Sequence, residues 1–259
     1  MPNMTLNNEK KVFYTKKRGN PDLPAIILVH GAGSSHLGWP SELRRLPDYT
    51  VYGLDLPGHG RSRLPGCDNI VDYANDLAAF MDGLQLKQAV VIGHSMGGAI
   101  AQTTALQRPD LVAGLVLIGT GARLPVSEAI LDQALTDFGA TLAFVNKYAR
   151  ARGTAVPLIE EIYKLMNAAG SETLHGDYVA CNGFDMRDRL SEITAPTLVL
   201  AGTIDMMTPY KFGQFLVEHM PNAQLTTIEG GGHMMMLEQP GNVATAVTAF
   251  LQNHFEAPD

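Results

Sequence analysis

Short runs of Val, Ile and Leu recur along the chain between longer amphipathic stretches, and each run is closed by Gly, Asp or Ser. They are AIILVH at 25–30, TVYGLDL at 50–56, AVVIGHS at 89–95, GLVLIG at 114–119, TLVLAG at 197–202 and QLTTIEG at 224–230. Unbroken apolarity, rather than alternation, belongs to strands covered on both faces, so the runs predict a parallel sheet whose strands are joined through helices. Ahead of them, residues 10–20 alternate and predict an antiparallel edge hairpin with its turn near Gly19 and Asn20. Helical periodicity marks 71–84, 96–107, 210–219 and 242–255, with Pro209 and Pro240 near two of the starts. The rhythm fails once: residues 123–190 hold no good strand, only helix-like stretches at 127–138, 142–150 and 158–168. That is too much chain for a plain crossover. It predicts a helical cap (123–190) over the strand ends of a core made from 1–122 and 191–259.

Composition narrows the classes. A chain of 259 residues, 46% hydrophobic and 17% charged, buries roughly 70–75% of its unfolded surface and needs no staple. Cys67 and Cys181 stand in neither CxxC nor CxxH spacing, which argues against a disulfide framework and a thiolate metal site. No run approaches ~18 apolar residues, and the N-terminus lacks the apolar stretch of a signal peptide. Membrane insertion and secretion are therefore not expected, and the cytoplasm is. The net charge of −7 is spread along the chain, which favours solubility and gives no nucleic-acid footprint.

The strongest chemical signal follows the run AVVI. Gly93-His94-Ser95-Met96-Gly97-Gly98 fits G-x-S-x-G between a strand and a helix start. Glycines on both sides permit a sharp turn that lifts the serine Oγ above the sheet, and they leave the N–H of Met96 at a helix N-terminus, able to stabilise an oxyanion. A serine hydroxyl is a poor nucleophile until a base takes its proton and a carboxylate orients that base. Asp205 lies just past TLVLAG and His233 follows three glycines after the last run, giving the chain order Ser95, Asp205, His233. A second oxyanion donor is the N–H of Ala32, in the turn His30-Gly31-Ala32-Gly33 that ends AIILV. The eight histidines form neither HxH nor HExxH, GxGxxG is incomplete and GxxxxGK[ST] is absent, so neither a metal nor another cofactor is expected.

On the motifs HGAG (30–33), DLPGHGRS (55–62), GHSMGG (93–98), PTLVLAGTIDMMTP (196–209) and GGGHMMMLEQP (230–240), the chain resembles the α/β-hydrolase superfamily over nearly its whole length. Within it, the chain is similar to small bacterial carboxylesterases of the pimeloyl-acyl-carrier-protein methyl ester esterase and proline-iminopeptidase-like group. The resemblance implies an α/β fold with a mostly parallel eight-stranded sheet flanked by helices, and a helical cap inserted after strand six. It also implies that DLPGHGRS is structural, with Asp55 and Arg61 bracing a loop. His59 and His94 are read as packing or hydrogen-bonding residues.

A serine rather than an aspartate at the elbow favours acyl chemistry. The expected activity is cleavage of carboxylic esters with small to medium apolar acyl groups through an acyl-enzyme. Met96, Met206, Met207, Met234, Met235 and Met236 flank the three chemical residues in sequence, and thioethers repack readily around apolar groups. Met207 and Met234, with Trp39, Phe144, Tyr178 and Phe184, are the expected lining of an acyl pocket. Carbon–carbon bond hydrolysis, lactone hydrolysis and cofactor-free perhydrolysis use the same three residues, and a small-ligand receptor is the alternative of another class. The expected partner is a small ester in a monomer or homodimer. An acyl carrier protein would use the basic run Lys147, Arg150 and Arg152, which Glu160 and Glu161 offset.

Overall fold

The computed structural model describes residues 3–6, 9–62 and 65–255. Its strands are β1 (Asn3–Thr5), β2 (Lys11–Lys17), β3 (Ala25–Val29), β4 (Val51–Leu54), β5 (Ala89–His94), β6 (Val112–Ile118), β7 (Thr197–Gly202) and β8 (Ala223–Ile228). They form one sheet in the order β1-β2-β4-β3-β5-β6-β7-β8. Pairing is parallel from β4 across to β8 and antiparallel where β2 meets β1 and β4. The register sets Val29 opposite Gly93, His94 opposite Ile118, and Ile118 opposite Leu200. The loops that follow β3, β5 and β7 therefore open side by side at one edge.

The edge hairpin lies one strand earlier than residues 10–20 predict. Its partners are β1 and β2, and β2 then runs beside β4 rather than β3. Gly19 and Asn20 are not a hairpin turn; they carry the chain past β4 to β3, which lies between β4 and β5. The alternating strand takes the place near the edge, and the wholly apolar one goes inside, where both faces are covered.

Alternate residues of each inner strand feed two cores. Ile27, Val29, Val91, Leu115 and Leu117 face one side, and Ile26, Leu28, Val90, Ile92, Val116 and Ile118 face the other. The helices are α1 (Ser41–Arg44), α2 (Ile70–Gly83), α3 (Met96–Gln107), α4 (Glu128–Thr136), α5 (Phe138–Tyr148), α6 (Val156–Ala169), α7 (Ser171–Gly183), α8 (Tyr210–His219), α9 (Met235–Glu238) and α10 (Pro240–Phe255). The first core takes residues of α2, α3 and α8, and the second takes residues of α1 and α10. Asn69 starts α2 by accepting the Asp72 N–H at 2.8 Å. Among the described residues no helix is long and apolar enough to cross a membrane.

Helices α4 to α7 stand between β6 and β7, as expected of a cap after strand six, with an antiparallel bridge between Arg123 and Asp185 at the base. The pattern of the sequence does not mark α7, yet it carries the main polar link from this insertion to the core. Asp177 is wholly buried. Its Oδ2 accepts the Gly33 N–H at 2.8 Å and faces His59 Nε2 at 2.8 Å, while Oδ1 accepts the Tyr73 hydroxyl at 2.7 Å. His59 Nδ1 in turn lies 3.0 Å from the Pro57 carbonyl. Both ring nitrogens thus face acceptors, the arrangement of a doubly protonated imidazolium. Burial alone would lower the His59 pKa, but the charge and hydrogen bond of Asp177 outweigh it and raise the value above the ordinary 6.5.

A group whose folded pKa is raised contributes stability that is complete below its unfolded value and is lost as pH rises through the folded value. For His59 the contribution is complete below about pH 6.5. The melting-temperature gap between the wild type and His59→Gln is therefore expected to be widest at pH 6 and to narrow steadily toward pH 9. A gap that stays constant over that range excludes a charged His59.

Candidate active site

Ser95 joins the end of β5 to the start of α3 with φ 52° and ψ −117°, a backbone region that costs a non-glycine residue about 1–3 kcal/mol. The neighbours hold it there. A side chain on Gly93 would run into the Gly97 carbonyl, and one on Gly97 into the Val29 carbonyl, so the turn closes only on glycine at both places. Ser95 N–H donates to the Ile118 carbonyl at 3.0 Å, and its own carbonyl accepts the Thr120 hydroxyl at 2.8 Å. Met96 is the first residue of α3, where backbone N–H groups have no partner within the helix. Ala32 occupies the second place of the turn closed by Ser34 N–H to the Gly31 carbonyl at 3.3 Å, with Gly33 at φ 63° in the third.

The loop after β7 presents Asp205, and the loop after β8 presents His233. Asp205 Oδ2 lies 3.0 Å from His233 Nδ1 and accepts the Thr208 hydroxyl at 2.7 Å. Oδ1 accepts the N–H groups of Met207 and Thr208 at 2.8 and 2.9 Å. Burial opposes ionisation of this carboxylate, but the His233 interaction and the Thr208 hydrogen bonds outweigh it and hold its pKa below 3.8. The His233 Nδ1–H is thereby fixed toward Asp205, which turns Nε2 the other way as the free acceptor. His94 Nε2–H donates to the His233 carbonyl at 2.9 Å. Burial and the nearby His233 push the His94 pKa down to about 3, so this ring stays neutral and acts on the backbone of the loop.

Glu238 in α9 ties the same loop to the insertion. One oxygen accepts the Gly232 N–H at 2.8 Å, and the other accepts the Ala151 N–H at 2.6 Å and the Thr154 hydroxyl at 3.1 Å. Met234 N–H donates to the Ala149 carbonyl at 3.0 Å. Asp177, Thr208 and Glu238 all escape sequence reasoning. Asp177 lies outside every motif, and Thr208 and Glu238 lie within 196–209 and 230–240 but have no chemical role of their own to mark them; only Thr208 has a readable clue, its place three residues after Asp205.

A cavity of about 60 Å³ opens over Ser95. Ala32, Ser95, His233 and Met234 form its floor, and Val145, Ile162, Met166 and Tyr178 of the insertion form its roof. Of the residues expected to line an acyl pocket, Tyr178, Met207 and Met234 line this cavity, and Ala32 joins them. Three expectations are corrected. Trp39, 1% exposed, is buried in the core that also takes Leu43 of α1 and does not line the cavity. Phe144 is 37% exposed and its ring lies tilted against that of Tyr148 on the outside of α5, whereas its neighbour Val145 reaches the cavity. Phe184 ends α7 and packs with Ala180, Met186 and Leu190 in the opposite core. Among the methionines, Met96, Met235 and Met236 are buried in the cores, Met206 is 64% exposed, and Met166, from the insertion, joins the pocket unforeseen.

The residues read as structural are so placed. Asp55 accepts the N–H groups of His36 and Arg61 at 2.7 and 2.9 Å and pairs with His36 Nδ1, bracing the loop after β4. In the basic run, Lys147 lies over the Tyr148 ring and Arg150 donates to the Asn146 carbonyl at 2.9 Å.

Residues 26–246 match the family model described as the alpha/beta hydrolase family. A protein of Pseudomonas syringae pv. syringae, provisionally named carbamate hydrolase RutD, is 31% identical, with 89% of this chain and 94% of that one covered. The 3-oxoadipate enol-lactonase 2 of Acinetobacter baylyi is 30% identical, covering 90% of this chain and 91% of its own. Among solved structures, the thermophilic esterase of Thermogutta terrifontis superposes with a TM-score of 0.88 at 26% identity, over 98% of both chains. With a strained serine turn, a buried aspartate–histidine pair and a helical insertion on a mostly parallel sheet, and with this family match over most of its length, the chain belongs to the alpha/beta hydrolase family.

Proposed function

We propose that the protein is a serine hydrolase of carboxylic esters with short acyl groups, acting through an acyl-enzyme on Ser95, His233 and Asp205. The observation that carries the reading is the 3.0 Å pairing of His233 with a buried, ionised Asp205 beside a cavity that also receives Ser95. His233 Nε2 takes the proton of Ser95 as Oγ bonds to the substrate carbonyl carbon. The carbonyl electrons move onto oxygen, and the N–H groups of Ala32 and Met96 stabilise that oxyanion, each worth ~10²–10³ in rate. The intermediate collapses, the bond to the alcohol oxygen breaks, and His233 gives that oxygen its proton. Water then repeats the two steps on the acyl-enzyme and frees the acid. Asp205 keeps its charge throughout and balances the imidazolium.

The relatives support the reaction class: one named carbamate hydrolase, one enol-lactonase and one esterase all break a bond to an acyl carbon. A lactone is a cyclic ester and follows the same two steps, so the enol-lactonase relative keeps lactones within this reading. The cavity supports short acyl groups. Its roof of Val145, Ile162, Leu165 and Met166 is apolar, which suits alkyl chains of a few carbons.

Two outcomes test the reading. A fluorophosphonate is expected to label the wild type at Ser95, and Ser95→Ala to lose both the label and at least about 10³-fold of the turnover of p-nitrophenyl butyrate; full turnover in that variant removes Ser95 from the mechanism. Met166→Ala, which enlarges the roof of the cavity, is expected to raise the hexanoate-to-acetate ratio of kcat/KM about tenfold, as one or two methylenes gain room. An unmoved ratio places the acyl chain elsewhere.

A further inference from the structure

Five buried side-chain polar atoms among the described residues have no hydrogen-bond partner, and one of them, the Tyr178 hydroxyl, belongs to a residue on the wall of the Ser95 cavity. Tyr178 is 6% exposed and sits in α7 next to Asp177, which anchors the helix to the core through three contacts. The ring is therefore held on a fixed support. Around it the roof is formed by Val145, Ile162, Leu165 and Met166, none of which can accept or donate a strong hydrogen bond. Near the floor, His94 is already committed to the His233 carbonyl, and His233 to Asp205. A buried hydroxyl without a partner is unfavourable and persists in native proteins where something else satisfies it.

We propose that the Tyr178 hydroxyl is a specificity-determining group: it receives a second oxygen of the substrate, an oxo, hydroxyl or ether oxygen, while the scissile carbonyl lies at Ser95. The preferred substrates are then small oxygen-bearing esters and lactones rather than plain alkanoyl esters of the same length. This rests on the hydrolase reading for the identity of the scissile bond. Burial raises the phenol pKa far above its ordinary value, so the group stays protonated and donates to the substrate oxygen. A site built around a hydrogen bond discriminates against ligands that lack the matching atom more strongly than an apolar wall discriminates by size.

The test compares wild type and Tyr178→Phe on methyl butyrate, its 2-, 3- and 4-oxo or hydroxy analogues, and 2-methoxyethyl butyrate, which carries the extra oxygen on the alcohol side. The wild type is expected to prefer at least one oxygen-bearing ester over methyl butyrate. Tyr178→Phe is expected to reduce that preference, read as a ratio of kcat/KM, by 10- to 100-fold. Calorimetric binding of the same esters to Ser95→Ala and to Ser95→Ala with Tyr178→Phe reads the contact without turnover and is expected to show the same selective loss. Parallel losses on plain and oxygen-bearing esters, or no preference in the wild type, overturn the role of Tyr178. Selective binding without any turnover overturns the hydrolase reading and leaves the Tyr178 contact standing; absence of both overturns both.

Discussion

The backbone of one residue constrains the rest of the site. Ser95 is held at φ 52° in a region that side chains avoid, and nothing in its own chemistry favours that conformation. It is held because Gly93 and Gly97 let the end of β5, the start of α3 and the end of β3 approach more closely than a Cβ would allow. Close approach there needs β3 and β5 to be neighbours, and the sheet order supplies it. The neighbouring order of β6, β7 and β8 then brings the loops bearing Asp205 and His233 to the same edge. A parallel sheet thus turns residues 110 and 138 positions away from Ser95 into its neighbours without a local motif joining them.

Two buried or half-buried carboxylates extend that constraint to the insertion. Asp177 reaches from α7 to Gly33, beside the turn that carries Ala32, and Glu238 reaches from the His233 loop to Ala151 and Thr154. The roof of the cavity is therefore hydrogen-bonded to the turn with the proposed oxyanion donor and to the loop with the proposed base. Such bonds to charged groups contribute about 1.5–3 kcal/mol each, more than neutral ones. They favour a preformed cavity over a loosely hinged lid.

What the sequence made legible follows from how local each feature is. The inner strands were readable because burial on both faces leaves a continuous apolar run, and observed limits differ from the runs by only one or two residues, as at β6 and β8. Ser95, Asp205 and His233 were readable because each belongs to a short segment whose backbone needs glycine or a strand end. The pocket walls were not. Phe144 and Val145 are adjacent, and a helix turns by about 100° between them, so the larger, more suggestive ring lies outside while the smaller valine faces Ser95. Only the packing of α5 on its neighbours fixes that rotation. Trp39 illustrates the same point in a loop: it is buried in the core that also holds Val145 and Tyr178, yet it does not line the cavity.

Helix α7 shows why the most informative element was the least visible. Leu174, Asp177, Tyr178 and Cys181 are all buried and fall at i, i+3, i+4 and i+7, the spacing of one helical face. At the centre of that face stand a carboxylate and a phenol, so the apolar stripe by which a helix is recognised is interrupted where it would be strongest. Local pattern and tertiary use conflict here, as they do where a site imposes its own requirements. The conflict resolves once the partners are known: Asp177 is satisfied by Gly33, His59 and Tyr73 of the core, so its burial is structural. Tyr178, one residue on, faces a cavity and finds no such partner in the protein. Adjacent positions of one helix thus carry a polar residue that holds the roof in place and one whose partner, on our proposal, comes from the ligand.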